Sequence, residues 1–525
     1  MNRTNRAIGV FLILVLALLL AACGSSAPSN TSAPAKSAAP GKVVNIAISE
    51  NILELDPHNQ TNLPGIAAMD MIFDTLVSSD HLGNYKPSLA ESWTTSADGL
   101  TTTFKLRKGV KFTNGEDFKS DSVVTTFQRL IDDPKLVCKV TYWPVLKSVK
   151  AIDDYTVSIT MSEPFGAILY SLDNTWLIPP KAWKESGKKL WTEQKCPGTG
   201  PWVLEKWVDG QYTHYVKNPN YWGTFKSYYD EVYFRHILEP STAIAGHLSG
   251  NVNAYIAAGG ISSDMLPLYK GSEKKIELRK IESGAFQYLG FQCKEGTTFA
   301  DINARKAVEY AINRQLIVDT ILGGGKVPRG LMVDTCMGYD PNLAPYKYDP
   351  ALAKEYLAKS KYKGEPIVIS SNTSTLKAEQ ILLAISEMMN AVGFKTSVKV
   401  VENATLANMR ATGDYNIFMV TNMHPGGDPY AHLNMRFLQD AHHSNYVNQD
   451  MNNLIKKSNA EMDQAKRADS FKQIDVLIRK ESAPQTYISQ LNTTQAVDYG
   501  VDGLLLYKDG YFSYRWVTFN PALVK

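Results

Sequence analysis

Residues 89–130 read LAESWTTSADGLTTTFKLRKGVKFTNGEDFKSDSVVTTFQRL, and their local grammar is a strand, a turn and a helix in quick succession. Asp98-Gly99 marks a tight turn, because Gly takes positive φ at little cost. Beyond it Leu100, Thr102, Phe104 and Leu106 alternate with Thr101, Thr103 and Lys105, the period-two pattern of a half-buried strand. Asn114-Gly115 predicts a second turn. Ser120 occupies a helix N-cap position and Asp121 suits the positive end of the dipole. Val123, Val124, Phe127 and Leu130 then fall on one helical face. Nothing in this local reading names a function.

The same string resembles the signature of the family 5 extracellular solute-binding proteins, the peptide, nickel and oligosaccharide receptors of bacterial ABC importers. The matching positions are Ala90, Trp93, Asp98, Gly99, Phe104, Leu106, Arg107, Gly109, Phe112, Gly115, Asp121 and Val123. A second matching stretch is Gly198–Trp222, a hairpin turned at Asp209-Gly210 and ending in Asn218-Pro219-x-Tyr221-Trp222; Trp202 stands where the family usually carries Tyr. A third is the helix of Arg305, Ala307, Ala311, Ile312 and Arg314. The three motifs come in the family order, and the resemblance spans nearly the whole mature chain.

The resemblance implies an α/β, two-lobed, periplasmic-binding-protein-like fold (class II, cluster C type) with an extra α+β domain on lobe I. Lobe I would comprise 43–65, 194–290 and 489–525, the appended domain 66–193, and lobe II 291–488. It also implies a monomeric receptor that closes on its solute and hands it to an ABC permease with its ATPase subunits. Neither an enzyme activity nor a cofactor is expected.

The start of the chain reads as a leader. Arg3 and Arg6 precede a continuous apolar run from Ala7 to Leu20, and Leu20-Ala21-Ala22 leads into Cys23-Gly24. This resembles a bacterial lipobox, so residues 1–22 are expected to be removed and Cys23 to carry lipid, holding the protein on the outer face of the cytoplasmic membrane. A transmembrane anchor is the rival reading, but the run is short for a span of about 20 residues. Residues 23–42 are Ser/Ala/Pro-rich and without periodicity, and are expected to form a disordered tether with a reach of about 20–25 Å.

The full chain carries 55 Lys and Arg against 52 Asp and Glu, a formal +3. Without residues 1–22 the two signs nearly balance, which gives no electrostatic argument for nucleic acid or an anionic membrane. Beyond Cys23 the cysteines are Cys138, Cys196, Cys293 and Cys336, with no CxxC spacing. Four such residues permit three disulfide pairings, and isolated buried thiols are an equal alternative.

The rest of the body alternates. Val43–Ile48 predicts a buried strand, 52–64 a loop, 66–77 a helix, and strand-like pieces follow near 149–152 and 156–161. Asp301 caps a helix that ends at Gly323-Gly324-Gly325. A βαβ unit is expected over 366–370, 375–391 and 396–401, with a parallel right-handed crossover. Further elements are a buried strand at 415–421, helices near 451–460 and 465–480, and an aromatic-rich strand at 503–519.

Catalytic constellations are missing: there is no Gly-x-Ser-x-Gly elbow and no His-Glu-x-x-His. Gly198-x-Gly200 lacks a third Gly and a following helix, and Gly325-Lys326 is followed by Val327 where a phosphate loop needs Ser or Thr. His424, His432, His442 and His443 cluster within twenty positions, which admits a metal or metal chelate, since imidazole is a common ligand; loop histidines are the plainer reading.

In peptide-binding relatives the strand after Tyr415 and its loop supply an Arg and an acidic residue that pairs with the peptide amino terminus. With Asp428-Pro429 taken as the loop corner, these positions fall near Met419 and on Pro425, and a one-residue shift restores Asp428 as the anchor. The candidate ligand-binding residues are therefore Glu50 and Asn51 at the end of the first strand, Gly259 and Gly260 where a strand-like run breaks, and Asn422, His424 and Asp428 across the cleft. A short peptide is the expected ligand, held by backbone groups, amides and aromatic faces with at most one carboxylate, Asp428. An oligosaccharide or a metal chelate is the alternative; a signalling co-receptor or a surface hydrolase is the alternative of another class.

Overall fold

Val43–Ile48 (β1) is a strand, and Val44, Ile46 and Ala47 are wholly buried because β1 is paired along both edges. The computed structural model describes residues 42–80, 84–257, 259–424, 427–438, 444–481, 484–507 and 511–524. The stretches expected as a leader and, Lys42 apart, as a tether lie outside the described residues, as do Cys23, Pro425, His442 and His443. No helix among the described residues is long and apolar enough to cross a membrane.

The helix expected from residue 66 runs from Leu63 to Ile72 instead. Pro64 sits in its first turn, where the missing N–H is no loss, and Asn62 caps it by accepting from Gly65 N–H. Its end is fixed by close approach: Gly200 N–H donates to Ile72 O at 2.8 Å, and a Cβ on Gly198 would stand 1.9 Å from that oxygen. The Gly198-x-Gly200 pair is thus a packing device.

A short pair, β2 (Val77–Ser79) and β3 (Tyr85–Pro87), leads into the signature. β4 (Ala90–Thr95), β5 (Thr101–Leu106), β6 (Leu146–Asp153) and β7 (Thr156–Met161) form an antiparallel sheet in the order β4-β5-β7-β6. Phe104 and Leu106 face inward with Val157 and Ile159, against Val123, Phe127 and Leu130 of the helix Ser120–Asp132. Ser120 is the first residue of that helix and not its cap; Lys119 takes the extended cap conformation and donates its N–H to Ser122 Oγ. Tyr430, from far along the chain, is buried in this core, 5.3 Å from the Phe165 ring.

β8 (Trp202–Val208) and β9 (Tyr212–Lys217) form the predicted hairpin, with Gly210 at φ +67° in its turn. They join a ten-stranded sheet with β10 (Glu231–His236), β11 (Ala254–Ile256), β12 (Ile276–Phe291), β13 (Ile367–Asn372), β14 (Thr396–Val401), β15 (Ile417–Asn422) and β16 (Gln485–Asp498). The order is β14-β13-β15-β12-β16-β11-β1-β10-β9-β8. β13 and β14 are parallel and in register around the helix Ala378–Val392, as the βαβ reading expects.

β16 has no counterpart in the sequence reading. Nearly all of its residues are buried, so its pattern does not alternate, and its polar side chains are satisfied internally: Ser489 Oγ donates to Gln287 Oε1, and Gln490 Nε2 to Ser283 O. The aromatic tail expected as one strand is instead two small pairings, Val501–Asp502 with Thr518–Phe519 and Leu505–Leu506 with Phe512–Ser513. Its rings are there to fill a core: Phe512, Tyr514 and Val517 pack with Trp202 and Phe234, and Trp202 Nε1 donates to Arg515 O. Cys138, Cys196, Cys293 and Cys336 are free and buried.

β12 and β16 are antiparallel and long, and the two parallel groups flank opposite halves of this ribbon. β11 meets β16 at Ala496 and Val497 and runs toward its middle; β15 meets β12 from Phe291 back to Phe286 and runs toward the middle from the other side. The carboxyl ends of the two groups therefore point at each other across the ribbon, where β12 is bulged between Glu282 and Phe286.

Candidate functional site

Ligands of open α/β sheets bind outside the carboxyl ends of parallel strands, and here two sets of such ends converge. They enclose a cavity of about 350 Å³. β1 contributes Glu50, the turn after β11 Gly259, β13 Asn372 and Ser374–Leu376, β14 Asn403, and β15 Thr421–Met423. Ala285 and Thr493 of the ribbon form its floor, and Asn62, Ile66 and Phe512 add one wall. A second cavity of about 470 Å³ shares Glu50, Ser374, Thr375 and Leu376 with it and adds Gly260, Asp264 and Lys377. Lys377 Nζ reaches Asp264 at 2.7 Å. A larger groove, about 910 Å³, lies apart from these strand ends, along the helix Ser120–Asp132 and residues 180–188, and carries as many basic as acidic side chains.

The first cavity is polar and nearly uncharged. Amides and hydroxyls dominate the lining, and Glu50 is its one carboxylate among the described residues, with no Lys, Arg or His beside it. Burial holds the Glu50 carboxyl above its ordinary range. No hydrogen bond or ion pair from another described residue offsets that cost.

Asn422 is fixed from behind. Its Oδ1 accepts from Met423 N–H at 2.8 Å, and its Nδ2 donates to His432 Nδ1 at 2.8 Å. His432 Nε2 in turn donates to Gln485 Oε1 at 2.9 Å, so the ring is neutral. Burial, His424 and Arg436 together hold its pKa well below the ordinary value.

The residues expected at the site divide. Glu50, Gly259 and Asn422 line the first cavity and Gly260 the second. Gly259 and Gly260 both take positive φ, at +75° and +91°, and a Cβ on Gly260 would meet Thr494 N at 2.9 Å. Asn51 is not in the lining; its carbonyl accepts from Asn62 Nδ2. His424 is buried beneath, donating Nε2 to Leu331 O, with its pKa pushed down to about 4 by burial. Asp428, expected to engage a ligand charge, is 2% exposed and bound by the fork of Arg467, at 2.5 and 3.1 Å. Both its oxygens are occupied, and among the described residues the carboxylate lining the first cavity is Glu50. No group of three or more His, Cys, Asp or Glu among the described residues could hold a metal ion.

Asn372 and Asn403 escaped the sequence reading. Their signal is position: each closes or follows a parallel strand, and that becomes visible only once strand direction is known.

Residues 84–444 match the model of the bacterial extracellular solute-binding proteins, family 5 Middle. The chain belongs to this family. Curated relatives include the glutathione-binding protein GsiB of Escherichia coli strain K12, 28% identical over 360 residues that cover 68% of this chain and 69% of that protein. GsiB of E. coli O6:K15:H31 is 29% identical over the same coverage. Among solved structures, DppA of Helicobacter pylori with the peptide STSA superposes with a TM-score of 0.79 at 23% identity, covering 90% of this chain and 98% of that one. The oligopeptide-binding protein AppA of Bacillus subtilis with a nonapeptide gives 0.77 at 21%, covering 92% and 100%. NikA of Brucella suis with Fe(III)-EDTA gives 0.77 at 23%, covering 91% and 100%. The two-lobed family 5 fold is therefore that of this chain, and as a member of the family it is an extracellular solute-binding protein.

Proposed function

We propose that this protein captures a short peptide, or another small solute bearing one ammonium group, and delivers it to an ABC permease. The observation that carries this reading is Glu50: a partly buried carboxyl whose charged form burial disfavours, and the one acidic or basic side chain among the described residues lining the cavity. A ligand ammonium would supply the partner that the described protein groups do not. Asn422, Asn372 and Asn403 then offer amides to the peptide backbone, and Phe512 an apolar face. A peptide's carboxyl end would face the adjoining cavity, where Lys377 is the cation. The glutathione-binding relatives support a peptide of this size. We assign lobe I to 43–65, 194–290 and 489–525, the appended domain to 66–193 and lobe II to 291–488, with the protein a monomer.

The test is calorimetric titration of free and N-acetylated tripeptides and neutral oligosaccharides into the mature protein. Free peptides should bind, and acetylation should cost about 2 kcal/mol or more, since it removes one partner of a buried charge pair. Equal affinity for both forms, or tight binding of an oligosaccharide alone, would sink the reading.

Anchoring through Cys23 completes it, because the small-residue run before Cys23 has the lipobox form. Cells expressing the Cys23→Ala variant should incorporate no labelled fatty acid into this protein; incorporation equal to wild type would remove the anchor from the proposal.

A further inference from the structure

On the strands β12 and β15 and the helices Asn403–Thr412 and Tyr430–Arg436, two arginines feel each other's charge with no carboxylate of a described residue paired to either. The ring of Phe418 organises the place. It lies over Gly290, the residue directly opposite on β12, where an added Cβ would stand 2.3 Å from the ring. The Arg410 guanidinium sits 4.7 Å from the centre of the same ring. Tyr415 and Tyr288 pack edge-on against it at 5.1 and 5.8 Å. Arg436 bears on Arg410, Tyr415 and His432 through its charge.

The hydrogen-bond inventory of this cluster does not close. Arg410 Nε, Arg436 Nε and Nη1, and the hydroxyls of Tyr288 and Tyr415 are all sealed from water with no partner among the described residues. Tyr288 is wholly buried and Tyr415 nearly so. Every one of these groups is a donor, and no carboxylate of a described residue pairs with either arginine. Buried polar groups in folded proteins are otherwise satisfied almost without exception, and an unfilled set points to a missing water or ion. Burial, with the repulsion of the Arg436 charge behind it, pushes the Arg410 pKa down to about 10. Water would satisfy single donors but would not offset like charges.

We propose that Arg410, Arg436, Tyr288 and Tyr415 form a partly buried binding site for a small tetrahedral oxyanion, phosphate or sulfate. The guanidinium presents planar, fixed donors suited to such oxygens, and the two phenol hydroxyls can add an O–H donor each. The site is separate from the solute cavity: none of the four residues lines it, and the Asn422–His432 pair stands between. The inference does not rest on the peptide reading.

Equilibrium dialysis of the full mature chain against labelled phosphate and, separately, sulfate tests it, with acetate as the control. Wild type should take up about one tetrahedral anion per chain, and Arg436→Gln should weaken uptake at least tenfold. Tyr415→Phe, a milder change, should weaken it less. No uptake of either anion by wild type would overturn the proposal. So would uptake unaffected by both Arg436→Gln and Tyr415→Phe, or binding of acetate in their place. If Arg436→Gln does not fold, wild-type stoichiometry and Tyr415→Phe decide.

Discussion

Arg467→Met should cost the folded protein about 3–5 kcal/mol, the range for removing one partner of a buried ion pair. Arg467 is 1% and Asp428 2% exposed, and the guanidinium fork satisfies both carboxylate oxygens. Arg467 Nε also donates to Ser458 O, and the side chain lies 4.9 Å from the Phe471 ring. Without it, Asp428 retains one charge-assisted bond, from Tyr430 N–H, and no counter-charge. Much of the cost is this stranded carboxylate, so pairing Arg467→Met with Asp428→Asn should recover a good part of it. Denaturant unfolding of the three variants measures the effect; a single variant within about 1 kcal/mol of wild type would show that the pair contributes little. Peptide affinity in the folded fraction should change little, because Asp428 is outside the cavity.

Glu50→Gln should weaken binding of an ammonium-bearing ligand by about 2–5 kcal/mol while preserving shape. The pH dependence gives a second signature with a definite sign. Burial raises the Glu50 pKa in the folded protein, so the folded state holds this proton more tightly than the unfolded one. In the window between the two values the unliganded protein gains stability from Glu50 as pH falls. Ligand binding goes the other way, since protonation as pH falls through the raised value removes the partner of the ammonium. Acidification should therefore weaken wild-type binding and leave the residual binding of Glu50→Gln flat. Identical pH profiles for the two would remove Glu50 from the site.

What the sequence discloses and what it hides follow from physics that can be named. β1 and β14 run over the predicted residues, because each is a short run between clear turn residues. The signature strand is legible because one face is wet and alternation survives. β16 is illegible because both faces are buried and its polar residues bond to one another. Glu50 and Asn422 were within reach because they end strands that the sequence shows. The pairing of Asp428 is hidden from the sequence because the Asp-Pro corner is local, whereas its partner Arg467 lies on a separate helix. The Arg410–Arg436 cluster leaves no trace in sequence at all, since nothing in the chain marks which arginines are buried.

The ten-stranded sheet also fixes an order of assembly. Val43 pairs with Glu231, Ala254 with Val497, and Ser227 Oγ donates to Val517 O. Contacts this remote in sequence carry the loop-closure entropy of the whole intervening chain before they return any energy. The signature sheet lies within residues 90–161 and its core, Tyr430 apart, within 76–177, so it can consolidate on local contacts. The ribbon cannot: β12 waits for β16, and β1 finds its first partner only in β10. As the chain emerges, its first strand must remain unpaired until the strands beside it have been synthesised, and the floor of the cleft is set only when nearly the last residues have arrived. The floor of the cleft thus rests on pairings between strands remote in sequence.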